Sequence, residues 1–349
     1  MKLVEINSRR GIKKFLFFRS NLYKGDINYV CTEKFVLKMV LSGGTDFIKS
    51  CKKLPVQVVD NNKVLAQAIL IYNVALPYIQ VAFFDALPDC EAAVGMILSK
   101  ADELKRKVNA KGIIVGLNAH ISYGVGLLTD GFNKKNSFDS QYNKSYYGAY
   151  FKGYPGDSLS TYKGGVESLR PNFPRLKTDR VKVRLCKLNK FREEMELLRS
   201  LCEKTIAKTH LYFPTQPLHF YQLIKTLKPF LRPENLLFAE DAEGNVTGFM
   251  FWYPDFNQVL EGGREYSLLS IGLSYLLKGK KIDTVKINAL GSCSYAATFA
   301  LIDTFRQFVE NKYSFVETSF IWDNNNKSSL LMKKFFETYD RKYEVYYIR

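Results

Sequence analysis

Histidine is scarce in this chain of 349 residues, and its cysteines are widely spread. The 6 cysteines never approach C-x-x-C spacing, and the 3 histidines show no metal-ligand periodicity. Structural zinc sites use closely spaced ligand pairs, and disulfide-stapled folds use a much higher density of cysteine. The sequence therefore predicts no metal site and no disulfide scaffold, and it indicates free thiols.

The first residues of the sequence, 1–6, lack the apolar core and the small-residue cleavage site of a signal peptide. We therefore expect a cytoplasmic protein. One uncharged stretch, residues 65–84, approaches the length that crosses a bilayer. Because Pro77 lies near its centre between two strand-forming runs, the pattern favours a buried hairpin over a membrane span.

Positive charge is in clear excess, with a formal net charge of +17 and a sequence pI of 9.4. The excess favours a polyanionic partner, which is a nucleic acid, an anionic membrane surface or a phosphate-bearing cofactor. No recognised nucleic-acid module or arginine-rich stripe accompanies the charge, so a nucleic acid is not favoured. A basic cluster either screens cofactor phosphates or forms a solvated loop, and the pattern favours the loop. The cluster is Lys278, Lys280, Lys281 and Lys286.

Strands and helices alternate in the first half of the chain. A short strand over residues 2–6 and a basic helix near residues 10–20 precede a block of strands over residues 56–84. An apolar stripe with helical spacing begins at Glu91, and residues 112–117 have the composition of a short buried strand. A strand, a helix and a strand in this order build a parallel βαβ crossover.

The second half repeats this order with little residue identity. Helical patterns over residues 190–208 and 218–228 come before a β-hairpin. An alternating strand around Ile287, a helix around Ile302 and a strand over residues 314–322 then predict a second βαβ unit. The repeated order indicates an internal structural duplication.

The domain boundaries follow from this duplication. Residues 164–178 contain two prolines and no clear periodicity, which is typical of a connection between domains. We predict a first domain over residues 1–165, a linker over residues 166–178 and a second domain over residues 179–349.

Short fragments along nearly the whole chain point to one known superfamily. In the first half they are FLFF at 15–18, LYKGD at 22–26, GLLTDGF at 126–132, YN at 142–143, YY at 146–147 and GY at 153–154. In the second half they are AED at 239–241, GF at 248–249, PDFN at 254–257, KID at 281–283, WDNN at 322–325 and YEVY at 343–346. In this combination the chain resembles bacterial proteins of the GNAT N-acetyltransferase superfamily in which two such folds are fused.

The resemblance implies an α/β fold, a mixed sheet with flanking helices, present as two GNAT-like acyl-CoA N-acyltransferase folds in tandem. It also implies that acetyl-CoA or another acyl-CoA is the co-substrate, without a metal, and that the acceptor is an amine of a small molecule or peptide. In this superfamily two parallel strands splay apart, and the pantetheine arm hydrogen-bonds between them like an added strand. The amino terminus of the nearest helix receives the pyrophosphate.

The superfamily's phosphate loop, (Arg/Gln)-x-x-Gly-x-(Gly/Ala), is intact in neither half. Residues 86–91 of the first half are poor in glycine, whereas small residues remain between Gly291 and Thr298 in the second. The cofactor-binding candidates implied there are Ser292, Ser294, Ala296 and Ala297. The alternative interpretation of this segment is an ordinary capped core helix.

Two asparagines are the implied pantetheine contacts, Asn143 in the first half and Asn325 in the second, and Asn325 otherwise caps a helix. Tyr150 lies seven residues after Asn143, which is the superfamily spacing between that asparagine and the tyrosine that protonates the leaving thiolate. Asp85, at the end of a strand, is the candidate base acting through water. The position seven residues after Asn325 carries Met332, which cannot donate a proton.

Two functions from different classes fit these features. The first is an N-acyltransferase with Tyr150 as its general acid. The second is a degenerate tandem protein that binds a ligand or a partner without catalysis, and the incomplete phosphate loops favour it. The chain contains 22 tyrosines, so a packing role for Tyr150 is a further alternative.

Overall fold

The computed structural model of the protein describes residues 1–31, 34–169 and 181–349, and it describes Asn326 by its backbone alone. The described chain divides into two compact units. Unit 1 contains Met1–Leu159, Leu260–Ser267 and Arg341–Arg349, and unit 2 contains Ser160–Val259 and Leu268–Asp340. Two short segments of the predicted second domain therefore cluster with unit 1.

The predicted linker, residues 166–178, is described only in its first part. Val166–Leu169 form a 3₁₀ helix in which Val166 and Leu169 are buried. Residues 170–178 lie outside the described residues.

The first half of the chain contains most elements of unit 1. They are β1 (Lys2–Glu5), α1 (Arg9–Leu22), β2 (Val30–Cys31), α2 (Lys34–Ser42), α3 (Asp46–Ser50), β3 (Lys52–Asp60), β4 (Lys63–Asn73), β5 (Leu76–Ala86), α4 (Glu91–Val108), β6 (Ile113–Val115), β7 (Leu127–Asp130) and α5 (Tyr147–Tyr150). The next strand, β8 (Gly156–Gly165), begins in unit 1 and ends in unit 2.

The second half contains most elements of unit 2. They are β9 (Lys182–Leu185), α6 (Phe191–Thr205), α7 (His219–Ile224), β10 (Leu236–Glu240), β11 (Val246–Pro254), β12 (Arg264–Glu265), α8 (Leu268–Lys278), β13 (Thr284–Ser292), α9 (Tyr295–Val309), β14 (Phe315–Thr318), β15 (Ile321–Trp322), α10 (Asn326–Phe335) and β16 (Tyr339–Ile348). Of these, β12 and nearly all of β16 belong to unit 1, and β12 pairs with β2.

The sheet of unit 1 has the strand order β1-β3-β4-β5-β6-β16, with β7 also paired to β16. Its neighbouring strands are antiparallel except for β5 and β6, which run parallel on either side of α4 in the sequence. Helix α4 buries the stripe formed by Val94, Ile97 and Ala101 in the core of this unit. The predicted βαβ crossover of the first half is confirmed.

The uncharged stretch over residues 65–84 is the predicted hairpin. Strands β4 and β5 pair antiparallel, and the pairing reaches the turn at Asn73 and Leu76. In the part of the chain that the structure describes, no helix is long and apolar enough to cross a membrane.

The sheet of unit 2 repeats the arrangement with the order β9-β10-β11-β13-β14 followed by the end of β8. Here β13 and β14 run parallel on either side of α9 in the sequence, and the other neighbouring pairs are antiparallel. Phe305 of α9 packs edge to face on Trp252 of β11, with 5.2 Å between the ring centroids. The predicted recurrence of the βαβ unit is confirmed.

Helix α7 is shorter than the predicted helix over residues 218–228. It ends at Ile224, and Lys228–Phe230 form a separate 3₁₀ turn. Pro229 has no N–H, so it cannot donate the helical hydrogen bond to the carbonyl of Lys225.

Candidate functional site

In the sheet of unit 2, one edge of β13 has a partner strand over only part of its length. Strands β13 and β14 pair in parallel only as far as Ile287 and Thr318, and the N–H of Ser319 adds a bond of 2.8 Å to the carbonyl of Ile287. Strand β13 then runs on to Ser292 with β11 along its other edge. Among the described strands, none pairs with β13 beyond Ile287 on the β14 side. The pairing of the two parallel strands therefore ends at this point, where β14 itself ends.

A β-bulge lies at the same place. The register between β11 and β13 shifts between Phe251 and Trp252, which leaves Asn288 as the extra residue of β13. Its side-chain amide donates a hydrogen bond of 2.8 Å to the hydroxyl of Tyr253. A bulge bends the strand that carries it, so β13 bends close to where its pairing with β14 ends.

The opened part of β13 is accessible to solvent. Residues 287–290 and Ser292 are half-buried, although the strand lies inside the sheet. The corresponding strand of unit 1, β5, is buried at every residue from 79 to 86. The same element of the fold is thus partly exposed in unit 2 and buried in unit 1.

Side chains of unit 1 bond the chain near the point where the pairing of β5 with β6 ends. The parallel pairing of β5 with β6 ends at Val81 and Val115, and Phe83 follows with a φ of 49° at a register shift between β4 and β5. The N–H of Phe83 donates to the side-chain oxygen of Asn118 at 2.7 Å. A second hydrogen bond, 3.2 Å long, joins the Gln80 side chain to the Ala119 carbonyl.

Three tyrosines, which we call the tyrosine cluster, bond the end of β5 and the start of α4: Tyr146, Tyr147 and Tyr150. The hydroxyl of Tyr147 accepts from the N–H of Ala86 at 3.0 Å, and the hydroxyl of Tyr146 donates to the carbonyl of the same residue at 2.8 Å. The hydroxyl of Tyr150 donates to the carbonyl of Leu87 and accepts from the N–H of Cys90 at 3.3 Å. The cluster therefore bonds the backbone that leads from β5 into α4.

The predicted general acid, Tyr150, thus has its hydroxyl on the first turn of α4. Desolvation raises the pKa of Tyr150, and the hydrogen bond from Cys90 opposes the rise. The hydroxyl remains protonated at neutral pH and serves as a double hydrogen-bond partner for the chain itself. Its catalytic role stays a prediction.

The predicted base, Asp85, is fully buried in unit 1. Its carboxylate accepts from the Arg19 guanidinium at 2.9 Å and from the Gln67 amide at 3.1 Å. The hydroxyls of Tyr23 and Tyr147 lie 3.4 Å from the same carboxylate. Burial raises the pKa of Asp85, and the charge of Arg19 and the hydrogen bonds from Gln67, Arg19 and Tyr23 oppose the rise. The arrangement is a buried ion pair with satisfied partners.

Asn143, the predicted pantetheine contact of the first half, is also buried. Its side-chain oxygen accepts from the N–H of Leu128 at 2.6 Å, and its amide nitrogen donates to the carbonyl of Leu128 at 3.1 Å. The side chain therefore pairs with β7 as a neighbouring strand would, and its amide is used within unit 1.

Four cofactor-binding candidates of the second half lie where β13 leads into α9: Ser292, Ser294, Ala296 and Ala297. Ser294 is the N-cap of α9, and its hydroxyl accepts from the N–H of Ala297 at 3.1 Å. The hydroxyl of Ser292 donates to the Ser294 carbonyl at 3.0 Å. Ala297 is fully buried against the core, whereas Ala296 is half-buried. A capped helix with a small-residue start lies at the end of the open strand edge.

Asn325 is the N-cap of α10, and its side chain accepts from the N–H of Ser328 at 3.3 Å. Met332 on the same helix is buried in the core of unit 2, where it packs with Phe335 and Phe336. The position seven residues after Asn325 thus carries an apolar core residue.

One lysine of the predicted solvated loop, Lys286, lies in a strand. Lys278, Lys280 and Lys281 are exposed, but Lys286 lies inside β13 and only 2% of it is exposed. Its register partner on β14 is Glu317, which is likewise buried. Placing Lys286 on a solvated loop was wrong, because it belongs to a central strand with neighbours on both edges.

Metal-ligating residues do not cluster in the described ranges, where no group of three or more His, Cys, Asp or Glu side chains could hold a metal ion. Five of the six cysteines are buried or half-buried, and Cys293, directly before the N-cap of α9, is exposed.

Comparison with known structures identifies the fold. The chain is similar over 99% of its length to a tandem GNAT protein from the clavulanic acid biosynthesis pathway, covering 96% of that chain at 10% identity with a TM-score of 0.52. The chain has a tandem GNAT fold. The chain is also similar over 99% of its length to a GCN5-related N-acetyltransferase from Anabaena variabilis. That match covers 72% of the other chain, at 10% identity and a TM-score of 0.51.

A third similar structure is a GCN5-related N-acetyltransferase from Sphaerobacter thermophilus. The match covers 99% of the present chain and 96% of the other chain, at 12% identity and a TM-score of 0.50. No protein-family model matches the chain, and no curated protein sequence matches it significantly. The GNAT likeness therefore concerns the fold, in which the parallel pairs of strands are β5–β6 and β13–β14.

Proposed function

We propose that the protein is an acyl-CoA-dependent N-acyltransferase that holds its co-substrate in the cleft of unit 2. The observation that carries the proposal is the edge of β13 beyond Ile287, which lacks a β14 partner and leads into the start of α9. An extended, amide-bearing arm such as pantetheine hydrogen-bonds along a free strand edge. The GNAT fold and the net charge of +17 support an anionic acyl-CoA ligand.

The start of α9 fits a phosphate group in part. The first N–H groups of a helix have no acceptor inside the helix, and they bind anions readily. Ser294 satisfies the N–H of Ala297, so the amides of Tyr295 and Ala296 are the ones that a phosphate would contact. The helix dipole adds about 0.3–1 kcal/mol. The arginine and the later glycines of the superfamily loop are missing here.

Unit 1 has no coenzyme in this proposal. The backbone groups of Ala86 and Cys90 that line its cleft already bond to the tyrosine cluster. The contacts of Tyr150 and Asp85 support structural roles, and their roles as acid and base stay predictions. The proposed acyl transfer takes place in unit 2.

The proposed reaction forms one bond and breaks another. The acceptor amine attacks the acyl carbonyl carbon, the C–N bond forms and the C–S bond to coenzyme A breaks. The ammonium proton of the acceptor leaves to water, and the thiolate takes up a proton. Met332 cannot supply that proton, so water at the half-exposed edge of β13 is the proposed donor.

The proposed acceptor is an amine of a small molecule or peptide. The proposed location is the reducing cytoplasm, where the predicted free thiols remain reduced. Neither part of the proposal depends on which acyl group is carried.

A second candidate function is binding of an acyl-CoA without transfer. The observation that favours it is Met332, which fills the core of unit 2 where a tyrosine acid is expected. In this case the tandem fold acts as a ligand sensor or scaffold. The two candidates share the cleft and differ in turnover.

Calorimetric titration with acetyl-CoA tests the shared part, and release of the coenzyme A thiol over a panel of amines tests the transfer. We expect binding and amine-dependent thiol release. Binding without release over the panel would leave the sensor. Absence of binding at millimolar acetyl-CoA would contradict both candidates.

A further inference from the structure

Helix α8 presents an apolar face to solvent. The exposed fractions are 85% for Leu269, 59% for Leu273, 79% for Leu276 and 74% for Leu277. Residues three and four apart on a helix are neighbours, so these leucines form one continuous face. Exposed apolar side chains that cluster in this way mark an interaction surface.

The opposite side of α8 fixes this orientation. Ile271 is buried, and Tyr275 packs edge to face on Phe256 with 5.0 Å between the ring centroids. A Cβ atom on Gly272 would lie 2.3 Å from the ring of Phe230, so the helix lies directly against that ring. The leucines cannot turn inward while these contacts hold.

Positive charge follows the leucine face without a break. Lys278, Lys280 and Lys281 are exposed, and they come directly after Leu277 in the sequence. No Asp or Glu occurs from residue 268 to residue 282. An apolar helix face beside a lysine cluster is the composition of helices that lie in a membrane interface.

We infer that α8 and the three lysines after it form a docking surface for an anionic lipid bilayer, a property separate from the proposed acyl transfer. The 11 residues of α8 are too few to span a bilayer, which needs about 20, so the helix lies along the surface. The leucines enter the acyl boundary and the lysines contact anionic headgroups. A second copy of the chain fits this surface less well, because each copy carries a net charge of +17.

Flotation of the full chain with lipid vesicles tests the inference. We expect binding to phosphatidylcholine vesicles that contain phosphatidylserine, weakening as salt is raised because the attraction is screened. Lys278→Gln with Lys280→Gln and Lys281→Gln lowers the partition coefficient about fivefold for each lysine. Leu273→Gln with Leu276→Gln and Leu277→Gln lowers it by at least about tenfold.

A matched pair of double variants controls for general effects. Leu276→Gln with Lys280→Gln removes one leucine and one lysine from the surface, and Leu330→Gln with Lys333→Gln removes the same exposed types from α10. We expect weaker flotation for the first double variant alone, with the unfolding temperature unchanged in both. Two results would overturn the inference: no preference for phosphatidylserine, or equal flotation of the two variants. Sedimentation of a dimer that the leucine variant abolishes, without flotation, would instead make the surface an interface between copies.

Discussion

The hydroxyl of Tyr150 accepts a hydrogen bond of 3.3 Å from the N–H of Cys90, the N-cap residue of α4. The same hydroxyl donates to the carbonyl of Leu87. In the GNAT resemblance, this helix start is where a pyrophosphate binds. A side chain of the protein therefore takes up backbone groups that a ligand would otherwise contact, and this distinguishes unit 1 from unit 2.

Tyr150→Phe tests that distinction. We expect a loss of about 1–2 kcal/mol in the free energy of unfolding, because one backbone amide and one carbonyl lose a partner. Acetyl-CoA affinity and turnover should stay as in the wild type. Urea denaturation and steady-state kinetics measure the two effects, and Tyr154→Phe, at a residue that is 39% exposed, is the control. A large drop in turnover at unchanged stability would instead support Tyr150 as the general acid.

Asp85→Asn should destabilise the protein strongly. The substitution leaves the guanidinium of Arg19 buried without its carboxylate, and removing one member of a buried pair costs about 3–5 kcal/mol. Asp46→Asn is the matched control, because Asp46 pairs with Lys49 at an exposed site, where such pairs contribute about 0–1 kcal/mol. Denaturation curves of both variants measure the difference. Equal stability of the two would show that the buried pair contributes little.

Substitutions of Ser294 separate helix capping from phosphate binding. Ser294→Ala should lose about 1 kcal/mol of stability, because the N–H of Ala297 loses its acceptor. Ser294→Asp keeps a good cap but adds a negative charge, so stability should persist while acetyl-CoA affinity falls at least about tenfold by repulsion. Ser294→Asn is the uncharged control. Wild-type affinity in the aspartate variant would exclude this helix start as the phosphate site.

The thiol of Cys293 should report occupancy of the cleft. Cys293 is exposed directly before the N-cap of α9, whereas burial raises the pKa of Cys186 to about 12 and slows its reaction at neutral pH. We expect a maleimide reagent to modify Cys293 first, and acetyl-CoA to slow that modification. Mass spectrometry of the labelled peptides measures it, with Cys293→Ser as the control. Labelling at the same rate with saturating acetyl-CoA would contradict the proposed cleft.

Long periodic elements of the fold could be predicted from the sequence. Helix α4 begins at Glu91 as its apolar stripe indicates, and α9 and the parallel strands around it follow the same logic. Amphipathic helices and hairpins depend on near neighbours in the chain, so their patterns survive in the sequence. The capping role of Ser294 could be expected for the same reason, since a cap acts within one helical turn.

Contacts between distant segments could not be predicted in the same way. The partner of the Tyr150 hydroxyl lies 63 residues earlier in the chain, at Leu87, and nothing in the local pattern specifies it. Lys286 belongs to a strand that pairs with β11 on one edge and with β14 on the other, while the sequence shows only an ordinary alternation. The two-residue strand β12 is too short for any periodic signal, yet it pairs with β2 and brings its segment into unit 1.

The hydrogen bonds of the tyrosine cluster also determine which backbone amides a bound coenzyme can protect from hydrogen exchange. A ligand stabilises the folded state by RT ln(1 + [L]/Kd). It slows hydrogen exchange only at amides whose opening requires the ligand to dissociate. The amides of Ala86 and Cys90 have their acceptors within the chain, so hydrogen exchange there should not depend on the concentration of coenzyme. Exchange at the first turn of α9 should slow as the cleft fills. Under the proposed function, coenzyme supply should therefore change the stability of unit 2 and leave that of unit 1 as it is.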